Sequence, residues 1–415
     1  MAEFKVFAGI DWAHVFHQAC VVDDKGKVLW EARIEHTAEG LSELCAKLIE
    51  LAGGDVSMIP VGIETPNGIV VETLVAAGFS VFVINPKQID RFRDRFAMSG
   101  AKDDRRDARV IADSLRTDPR SYRQLEPEAD IVVEIRELSR LQSELQQERV
   151  RLTNRLSNQL LRYFPAFAKL VADDPGAPWA LALWKAIPTP ERAKTVQTRT
   201  VQSILKAHRI RRLDGQGVLQ ILREPVMNVS AATVLAARRH IKTLANQLEV
   251  LNIESRECKK ELEQSLDRFA GSETDPGKAG EQHLVTIAMS MPGIGPIILG
   301  ALLAEGARVL IAGDYAALRL LSGVAPVTKG SGRTQAVRRR YGHNHRLGNA
   351  LYNAARVSSQ CDEVFKAGYK ALRDRGHTHG RALRTIGDRL LGTLCAMIRS
   401  KTLFDPTRRT ARTAA

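Results

Sequence analysis

Phe4-Lys5-Val6-Phe7-Ala8-Gly9-Ile10-Asp11 is an apolar run that ends on a carboxylate. Its length and its valine, isoleucine and phenylalanine content predict a buried strand. Two similar runs follow at residues 18–22 and 28–34, and the turn Asp23-Asp24-Lys25-Gly26 separates them. The three runs therefore predict strands joined by tight turns, as in an antiparallel sheet.

Helical and strand patterns alternate after these three strands. Apolar residues at helical spacing predict a helix over residues 38–52, and a second helix runs through Leu74. Short buried strands are predicted at residues 60–64 and 81–84, the second closed by Asn85-Pro86. Three hairpin-connected strands followed by alternating helices and strands describe a ribonuclease-H-like α/β fold, which we expect over residues 1–128.

Two of the predicted strands end on an acid, Asp11 on the first and Glu64 on the fourth, and these strands are neighbours in that topology. A third source of carboxylates is the stretch at residues 101–108, which precedes an apolar helical run. Asp104 and Asp107 are three residues apart there and share one helix face. Their repulsion, ~4 kcal/mol at ~4 Å for a dielectric constant of ~20, favours a bound cation. A solvated helix start with favourable N-terminal acids is the alternative.

Four carboxylates from three separate segments would repel each other strongly unless cations neutralise them. Two Mg²⁺ ions about 4 Å apart on a phosphodiester are the natural complement, and Mn²⁺ is a plausible substitute. We expect the metal ligands to be Asp11, Glu64, Asp104 and Asp107, with Lys102 and Arg105 contacting nucleic acid.

From Ile131 onward the composition of the chain changes, and Glu, Arg, Gln and Leu predominate. Leucines at three-four spacing predict one long helix before Pro165, and a cleaner heptad pattern over residues 241–269 predicts a second, with Ser255 and Ser265 out of place. The two helices would form a coiled coil, within one chain or between chains, in a helical domain at residues 129–270. A basic helix predicted at residues 205–212 would contact phosphate.

A Gly- and Pro-containing linker over residues 271–280 precedes a mostly helical C-terminal domain, expected at residues 281–406. Residues 284–304 carry no charge, but Pro292-Gly293-Ile294-Gly295-Pro296 breaks them, which predicts two buried helices around a tight turn and not a membrane span. Gly293 and Gly295 would let backbone N–H groups approach a phosphate, as in a helix-hairpin-helix turn. A tight turn without a ligand is the alternative.

Ser331 lies in a glycine-rich basic loop. The hydroxyl is uncrowded, and it is either a phosphate contact or a nucleophile that needs a base or a metal. The loop residues expected to bind nucleic acid are Lys329, Gly330, Gly332, Arg333, Arg338, Arg339 and Arg340. His343 and His345 flank Asn344, but the ββα-metal context of an HNH nuclease is absent, so we expect DNA-contacting or surface residues there.

The charge of the chain points to a polyanionic partner, nucleic acid first. The net charge is +14, and residues 329–412 alone hold 19 Lys and Arg against 5 Asp and Glu. Residues 407–415 form a basic tail. The five separated cysteines and the lack of a secretory or lipidation motif predict a cytoplasmic protein with reduced thiols and no zinc, associated with the nucleoid.

Taken as a whole, the chain resembles the DEDD transposases of bacterial insertion sequences, the IS110 group that includes the Piv-type DNA invertases. The N-terminal motifs are Gly9-Ile10-Asp11, Gly62-Ile63-Glu64-Thr65, Val83-Ile84-Asn85-Pro86 and Lys102-x-Asp104-x-x-Asp107-Ala108. The C-terminal motifs are Pro292-Gly293-Ile294-Gly295-Pro296, Gly323-Val324-Ala325-Pro326, Gly330-Ser331-Gly332, Leu351-Tyr352-Asn353-Ala354-Ala355 and Leu403-Phe404-Asp405-Pro406. Departures from the pattern are Asp103, which leaves the acidic register ambiguous, His14 and the looser segment at residues 64–68.

The resemblance implies a RuvC-like domain with its tetrad on Asp11, Glu64, Asp104 and Asp107, a coiled-coil insertion, and a transposase domain with Ser331 as nucleophile. It also implies an RNA-guided recombinase, in which a non-coding bridge RNA pairs with donor and target DNA. Strand exchange would run through phosphoserine intermediates and a Holliday junction, in a tetramer assembled from dimers. The tetrad and serine sites would meet between subunits.

Two other functions fit the same residues. A metal-dependent junction-resolving nuclease would use water as its nucleophile, and Ser331 would only contact phosphate. A nucleic-acid-binding scaffold would carry the acids incidentally. An actin-like ATPase also begins with a strand ending Gly-x-Asp, but no Gly-rich phosphate loop follows in the right place.

Overall fold

The structure is a computed structural model that describes residues 4–66, 68–93, 104–225, 229–272, 283–331 and 334–406. The chain divides into two compact units, Met1–Glu128 and Ala129–Ala415. Lys102, Gly332, Arg333, most of the predicted linker and the tail at 407–415 lie outside the described residues. The predicted division of the second unit into two domains stays a prediction.

The first unit is built on a six-stranded sheet. Its strands are β1 Val6–Asp11, β2 Phe16–Asp23, β3 Val28–Glu35, β4 Pro60–Ile63, β5 Ser80–Val83 and β6 Arg123–Gln124. Their order is β3-β2-β1-β4-β5-β6, with β1–β2, β2–β3 and β5–β6 antiparallel and β1–β4 and β4–β5 parallel. The predicted ribonuclease-H-like fold is therefore confirmed.

Four helices cover the two faces of this sheet: α1 Ala38–Leu51, α2 Ile69–Ala76, α3 Pro86–Arg93 and α4 Asp104–Thr117. Side chains of a strand alternate between faces. Val6, Ala8 and Ile10 pack in the core formed with α1 and α2, whereas Phe7 packs in the core formed with α4. The odd-numbered residues of β1 thus face α4.

The second unit is organised around a long antiparallel helix pair, α5 Asp130–Tyr163 and α11 Ala231–Ala270. The predicted coiled-coil helices thus pack against each other within one chain. The two serines that broke the heptad pattern have polar partners: Ser255 accepts from Gln142 (2.9 Å), and Ser265 donates to Glu134 (2.8 Å). Leu141 points to solvent, because buried Gln142 takes its place in the seam.

Five short helices connect the long pair and form one core with its distal half. They are α6 Pro165–Leu170, α7 Pro178–Ala186, α8 Pro190–Thr195, α9 Thr198–Ala207 and α10 Gly215–Leu222. The basic helix predicted over residues 205–212 is wrong. Helix α9 ends at Ala207, and Arg209 adopts the left-handed region at φ 57°, so the basic residues 208–212 lie in the connection to α10.

A second core joins the proximal half of the long pair to the C-terminal elements. These elements are α12 Leu284–Met289, α13 Pro296–Ile311, α14 Tyr315–Ser322, β7 Val327–Ser331, β8 Thr334–Arg338, α15 His345–Cys361, α16 Glu363–Asp374 and α17 His379–Ser400. The apolar stretch at 284–304 is indeed two helix pieces around a turn. Within the described ranges, no helix has both the length and the apolarity that a bilayer span requires.

Candidate active site

Helix α4 lies unusually close to the sheet because two strands carry glycine where it crosses. A Cβ atom on Gly9 would overlap the Ala108 carbonyl oxygen and the Ala112 nitrogen, and one on Gly62 would lie 2.8 Å from Ile111 Cγ2. The glycines therefore allow the backbone of α4 to pack directly on β1 and β4. This contact fixes Asp107, the residue before Ala108, over the carboxyl end of β1.

Asp11 and Glu64 lie at the same edge of the sheet. Strands β1 and β4 are parallel with Ile10 opposite Ile63, so their next residues leave the sheet side by side. Strand alternation places Asp11 on the face of Gly9, and Glu64 continues the alternation one residue beyond β4. Both carboxylates thus follow a glycine by two residues and emerge toward the face that α4 covers.

Asp104 and Asp107 occupy the first turn of α4. Asp107 is only 3% exposed, whereas Asp104 is exposed and so is Arg105. Acids in a first turn interact favourably with the helix dipole, but a buried carboxylate also needs a cation or hydrogen-bond donors around it. Burial therefore separates the two acids that the sequence left equivalent.

The donor chemistry of these residues fits Mg²⁺ or Mn²⁺, since carboxylate oxygens are the hard ligands that such ions prefer. All four predicted ligands come from one edge of the sheet and the helix above it. In the described part of the chain, however, no three acidic, histidine or cysteine side chains are close enough together to hold a metal ion. The ligand set accordingly stays a prediction.

A buried histidine supports the turn that follows Asp11. His17 is fully buried, its Nδ1 accepts from the Ala13 N–H (3.3 Å), and its Nε2 lies 2.8 Å from His36 Nδ1. Burial, and then the charge of His36, lower the pKa of His17, which agrees with a neutral ring whose Nε2 is the donor. This pair was not predicted from the sequence, in which His17 at an inward position of a strand is its only signal.

The thiol that shares a core with α4 is not a nucleophile. Cys20 is buried on β2 in the core shared with α4. Burial, together with the charge and the hydrogen bond of Glu31, raises its pKa to about 12. The reactive thiolate is thus absent at neutral pH.

Ser331 is the last residue of β7 in a two-stranded hairpin. It pairs with Thr334 across the turn, whereas Val327 pairs with Arg338 at the open end. The side chains of Ser331 and Lys329 lie outside the described residues, but Arg338 and Arg339 are exposed. The predicted serine loop is therefore the tip of a hairpin whose return strand leads into the basic segment.

Side chains on both sides anchor this hairpin. Before it, Arg319 on α14 forms a two-point ion pair with Asp388 on α17 (2.7 and 2.8 Å), and the Tyr315 hydroxyl donates to the same carboxylate (2.9 Å). After it, Asn344 caps α15 and donates to Glu305 (2.6 Å). The pKa of Tyr315 is raised by burial first and then by Asp388, which keeps the hydroxyl a donor.

His343 has a packing role next to the hairpin. Its ring occupies the space that a Cβ atom on Gly323 or Gly348 would need. Burial is the largest cause of its lowered pKa, which favours the neutral ring. This placement accounts for the histidine without a nuclease role.

The turn between α12 and α13 also has a structural explanation. Gly293 has φ 84°, and a Cβ atom there would overlap Ser358 Oγ and the Ala354 carbonyl oxygen of α15. Ser358 donates to the Pro292 carbonyl (2.6 Å). A Cβ atom on Gly295, in contrast, would meet nothing within 4 Å. Packing thus accounts for Gly293, and Gly295 has the more open backbone of the two.

Comparisons with known proteins agree on one family. Residues 8–165 match the DEDD transposases of IS110 type, and residues 285–370 match the family described as "Transposase IS116/IS110/IS902 family". Among solved structures, T. thermophilus RuvC in complex with Holliday junction substrate is similar to part of this chain. The match covers 29% of this chain and 99% of the RuvC chain, at 15% sequence identity and a TM-score of 0.23.

Relatives include the protein y4uE of Sinorhizobium fredii, named as a transposase, at 50% identity over 210 residues; the match spans half of this chain and 58% of that protein. An IS116 protein of Streptomyces clavuligerus is 27% identical over 97% of this chain and 96% of its own. The IS117 mini-circle protein of Streptomyces coelicolor, also named as a transposase, is 31% identical over 97% of this chain and 96% of its own. The chain therefore belongs to the IS116/IS110/IS902 family of transposases.

Proposed function

We propose that this protein is a site-specific DNA recombinase in which Ser331 attacks a DNA phosphate and four carboxylates hold the required metal. The family implies DNA cleavage and rejoining. The observation that supports the metal site best is the meeting of Asp11 and Glu64 at adjoining strand ends, on the face where Asp107 is buried. A carboxylate buried at that edge is well suited to a site that a divalent cation completes.

The proposed step exchanges one phosphate ester for another. Ser331 Oγ forms a bond to phosphorus, the bond from phosphorus to a deoxyribose oxygen breaks, and the proton lost by the serine is balanced by protonation of that oxygen. The phosphoserine linkage is itself a phosphate ester, so the number of ester bonds is unchanged. Attack by a different deoxyribose hydroxyl therefore reverses the step and joins a new pair of strands. No external energy source is needed.

Asp11, Glu64, Asp104 and Asp107 would hold Mg²⁺ or Mn²⁺ in this reaction. When bound there, such ions would neutralise the phosphate and assist loss of the serine proton. Asp107 is buried and positioned by the Gly9 contact, so it would anchor the site, while exposed Asp104 would move toward it. The basic residues around Ser331 would orient the strand.

We also propose that a guide RNA selects the DNA sites and that dimers assemble into a tetramer. The resemblance to RNA-guided recombinases carries both statements, and the positive surplus of residues 329–412 supports nucleic-acid binding in general. In such an assembly, one subunit's carboxylates would serve another subunit's serine. The protein would work in the cytoplasm at the nucleoid.

The decisive measurement is a covalent protein–DNA adduct. RNA that copurifies with the full chain is sequenced first, because its unpaired loops would define the DNA sites to synthesise. End-labelled DNA is incubated with protein, RNA and Mg²⁺, denatured and resolved by size. We expect an adduct with the wild type and none with Ser331→Ala. Ser359→Ala is the matched control, since Ser359 only donates to the Ala355 carbonyl within its helix.

Each rival function gives a different result. An adduct that persists in Ser331→Ala would overturn the serine mechanism. Normal cleavage by Ser331→Ala with none by Asp11→Asn would identify a nuclease that uses water. DNA binding without metal-dependent cutting would identify a scaffold. If the protein purifies without a defined RNA, only the proposed RNA guidance would be overturned.

A further inference from the structure

The connection between α9 and α10 carries a concentration of positive charge, and we call it the basic turn: residues 206–212. Four of its seven residues are Lys or Arg, and none is acidic. The four are Lys206, Arg209, Arg211 and Arg212, and all of them are exposed. Such a concentration of one charge on the surface favours an anionic partner.

Hydrogen bonds hold the backbone of the basic turn in one conformation. The His208 N–H donates to the Ile204 carbonyl (3.1 Å), and the Ile210 N–H donates to the Leu205 carbonyl (2.8 Å), around Arg209. Leu205 is fully buried, and Ile210 packs against the core of the distal half of the long helix pair. This is the pattern of a Schellman ending of a helix. The cations therefore project from a hydrogen-bonded scaffold.

Arg212 is the cation of the basic turn that the fold itself uses. It pairs with Asp173 (3.2 Å), and its guanidinium carbon lies 5.9 Å from the ring centroid of Trp179, which is buried. The other three cations differ. Their side chains form no hydrogen bond, ion pair or ring contact within the part of the chain that the structure describes.

Arg209 occupies a position where glycine would fit better. Its φ is 57°, in the left-handed region, and among the described residues only Lys401 shares this property without being glycine. An L-residue is strained there because its Cβ atom approaches a carbonyl oxygen, and glycine is the usual residue at this point of a helix ending. Within the described ranges, no contact of the Arg209 side chain offsets the strain. The guanidinium is therefore best explained by a partner molecule.

The partner that fits the basic turn is the phosphate backbone of a duplex. Guanidinium and ammonium groups bind phosphate oxygens through charge-assisted hydrogen bonds. The turn contains no Phe, Tyr or Trp on which an unpaired base could stack, and contacts to phosphates alone position a duplex without reading its sequence. Because the family implies DNA cleavage and rejoining, we assign the phosphates to duplex DNA.

The basic turn is far from the Ser331 hairpin. Helix α5 passes from the proximal core at Ile135 to the distal core at Leu160. These residues are about 38 Å apart, since a helix rises 1.5 Å per residue. The elements that flank the hairpin belong to the proximal core, and the basic turn belongs to the distal one. A cation of the turn can therefore hold DNA but takes no part in chemistry at Ser331.

We propose that the basic turn is a sequence-independent anchor for duplex DNA, in which Arg209, together with Lys206 and Arg211, contacts phosphates remote from the bond that is cut. The anchor requires a DNA partner, but it requires neither the serine mechanism nor RNA guidance. Its failure and the failure of the proposed function are therefore distinguishable.

The test sets stability against binding in a single substitution. Arg209→Gly relieves the left-handed strain, so the urea midpoint of unfolding should stay the same or rise. Binding of the full chain to duplex DNA is measured in EDTA over a range of salt concentrations. We expect about tenfold weaker binding at ~0.1 M salt, and a slope of log affinity against log salt that is shallower by about 1. Two unrelated DNA sequences should give the same loss, because no base is read.

Three further variants control this result. Arg209→Asn removes the charge with a side chain that tolerates the left-handed region, and it should bind as weakly as Arg209→Gly. Arg209→Lys keeps the charge and should keep most of the affinity. Lys259→Gln removes one cation that already pairs with Glu263 on α11 (3.5 Å), and it should leave both affinity and slope unchanged.

Three binding results would overturn the anchor: Arg209→Gly binds DNA like the wild type, Lys259→Gln loses as much affinity, or the loss is confined to duplex RNA measured in parallel. A lower unfolding midpoint for Arg209→Gly would also overturn it, because the arginine would then stabilise the turn itself.

Discussion

The candidate metal site depends on two residues without side chains. Gly9-x-Asp11 and Gly62-x-Glu64 repeat one spacing on neighbouring strands, and the alternation of a strand puts each glycine on the face of its acid. The spacing is visible in the sequence, which predicted both acids at strand ends. The reason for this spacing is not visible in the sequence, because it depends on how closely α4 crosses the sheet.

Gly9→Ala should therefore disturb stability and the site together. A methyl group would overlap the backbone of α4, so the helix must move off β1 and carry Asp107 with it. We expect a loss of about 1–3 kcal/mol and loss of DNA cleavage. Hydrogen exchange of the β1 amides, compared between variants, measures the loss of stability. Formation of the covalent adduct measures the loss of DNA cleavage.

Gly342→Ala is the control for this change, since its Cβ atom would meet nothing within 4 Å. It should leave the exchange of β1 amides unaltered. Equal protection of β1 in the Gly9→Ala and Gly342→Ala proteins would contradict the close-packing explanation.

At the scale of elements, local patterns predicted most of the secondary structure and tertiary contacts decided the rest. Five of the six strands of the first unit and both long helices lie where their periodicity indicated, although α11 begins about ten residues earlier than predicted and the short β6 was not predicted. The basic residues at 208–212 have good helix propensity, but they form a connection, since Ile210 N–H bonds back to the Leu205 carbonyl around Arg209. Likewise, Ser255 and Ser265 interrupt the apolar heptad pattern in the sequence. In the structure each forms a hydrogen bond with a side chain of α5, Gln142 and Glu134 respectively.

Glu305 links three elements around the Ser331 hairpin. It precedes the irregular residue Gly306 in α13, accepts from Asn344 and pairs with Arg140 of α5 (3.4 Å), beside a cavity of about 810 Å³. Its side chain is only 9% exposed. Glu305→Ala should thus cost about 1–3 kcal/mol in urea unfolding, since it leaves two half-buried donors unsatisfied. Cleavage should fall more than DNA affinity, because the hairpin loses a support and no DNA contact.

Glu137→Ala is the matched change on the same cavity. Glu137 also pairs with Arg140 (3.5 Å), but its side chain is 64% exposed. An exposed pair of this kind contributes less than about 1 kcal/mol. Equal losses in the two variants would show that Glu305 supports nothing beyond an ordinary surface pair.

At the scale of the whole molecule, the two units carry net charges of opposite sign. Residues 1–128 hold 16 Lys and Arg against 21 Asp and Glu, whereas residues 129–415 hold 45 against 26. The unit with the candidate metal site is therefore acidic, and a nucleic-acid phosphate approaches it favourably only when cations offset its carboxylates. The second unit can attract DNA without such help.

Binding and cleavage should consequently separate when metal is removed. In EDTA we expect the full chain to keep its affinity for DNA and lose all cleavage, and Mg²⁺ or Mn²⁺ should restore cleavage. Six to ten phosphate contacts would make that affinity fall by about 10³–10⁵ between 50 and 200 mM salt, because bound counterions are released. Asp11→Asn should leave this salt dependence unchanged, as the residue belongs to the acidic unit. DNA binding that requires the metal, or that ignores salt, would place the main DNA contacts on the acidic unit and contradict the division of roles.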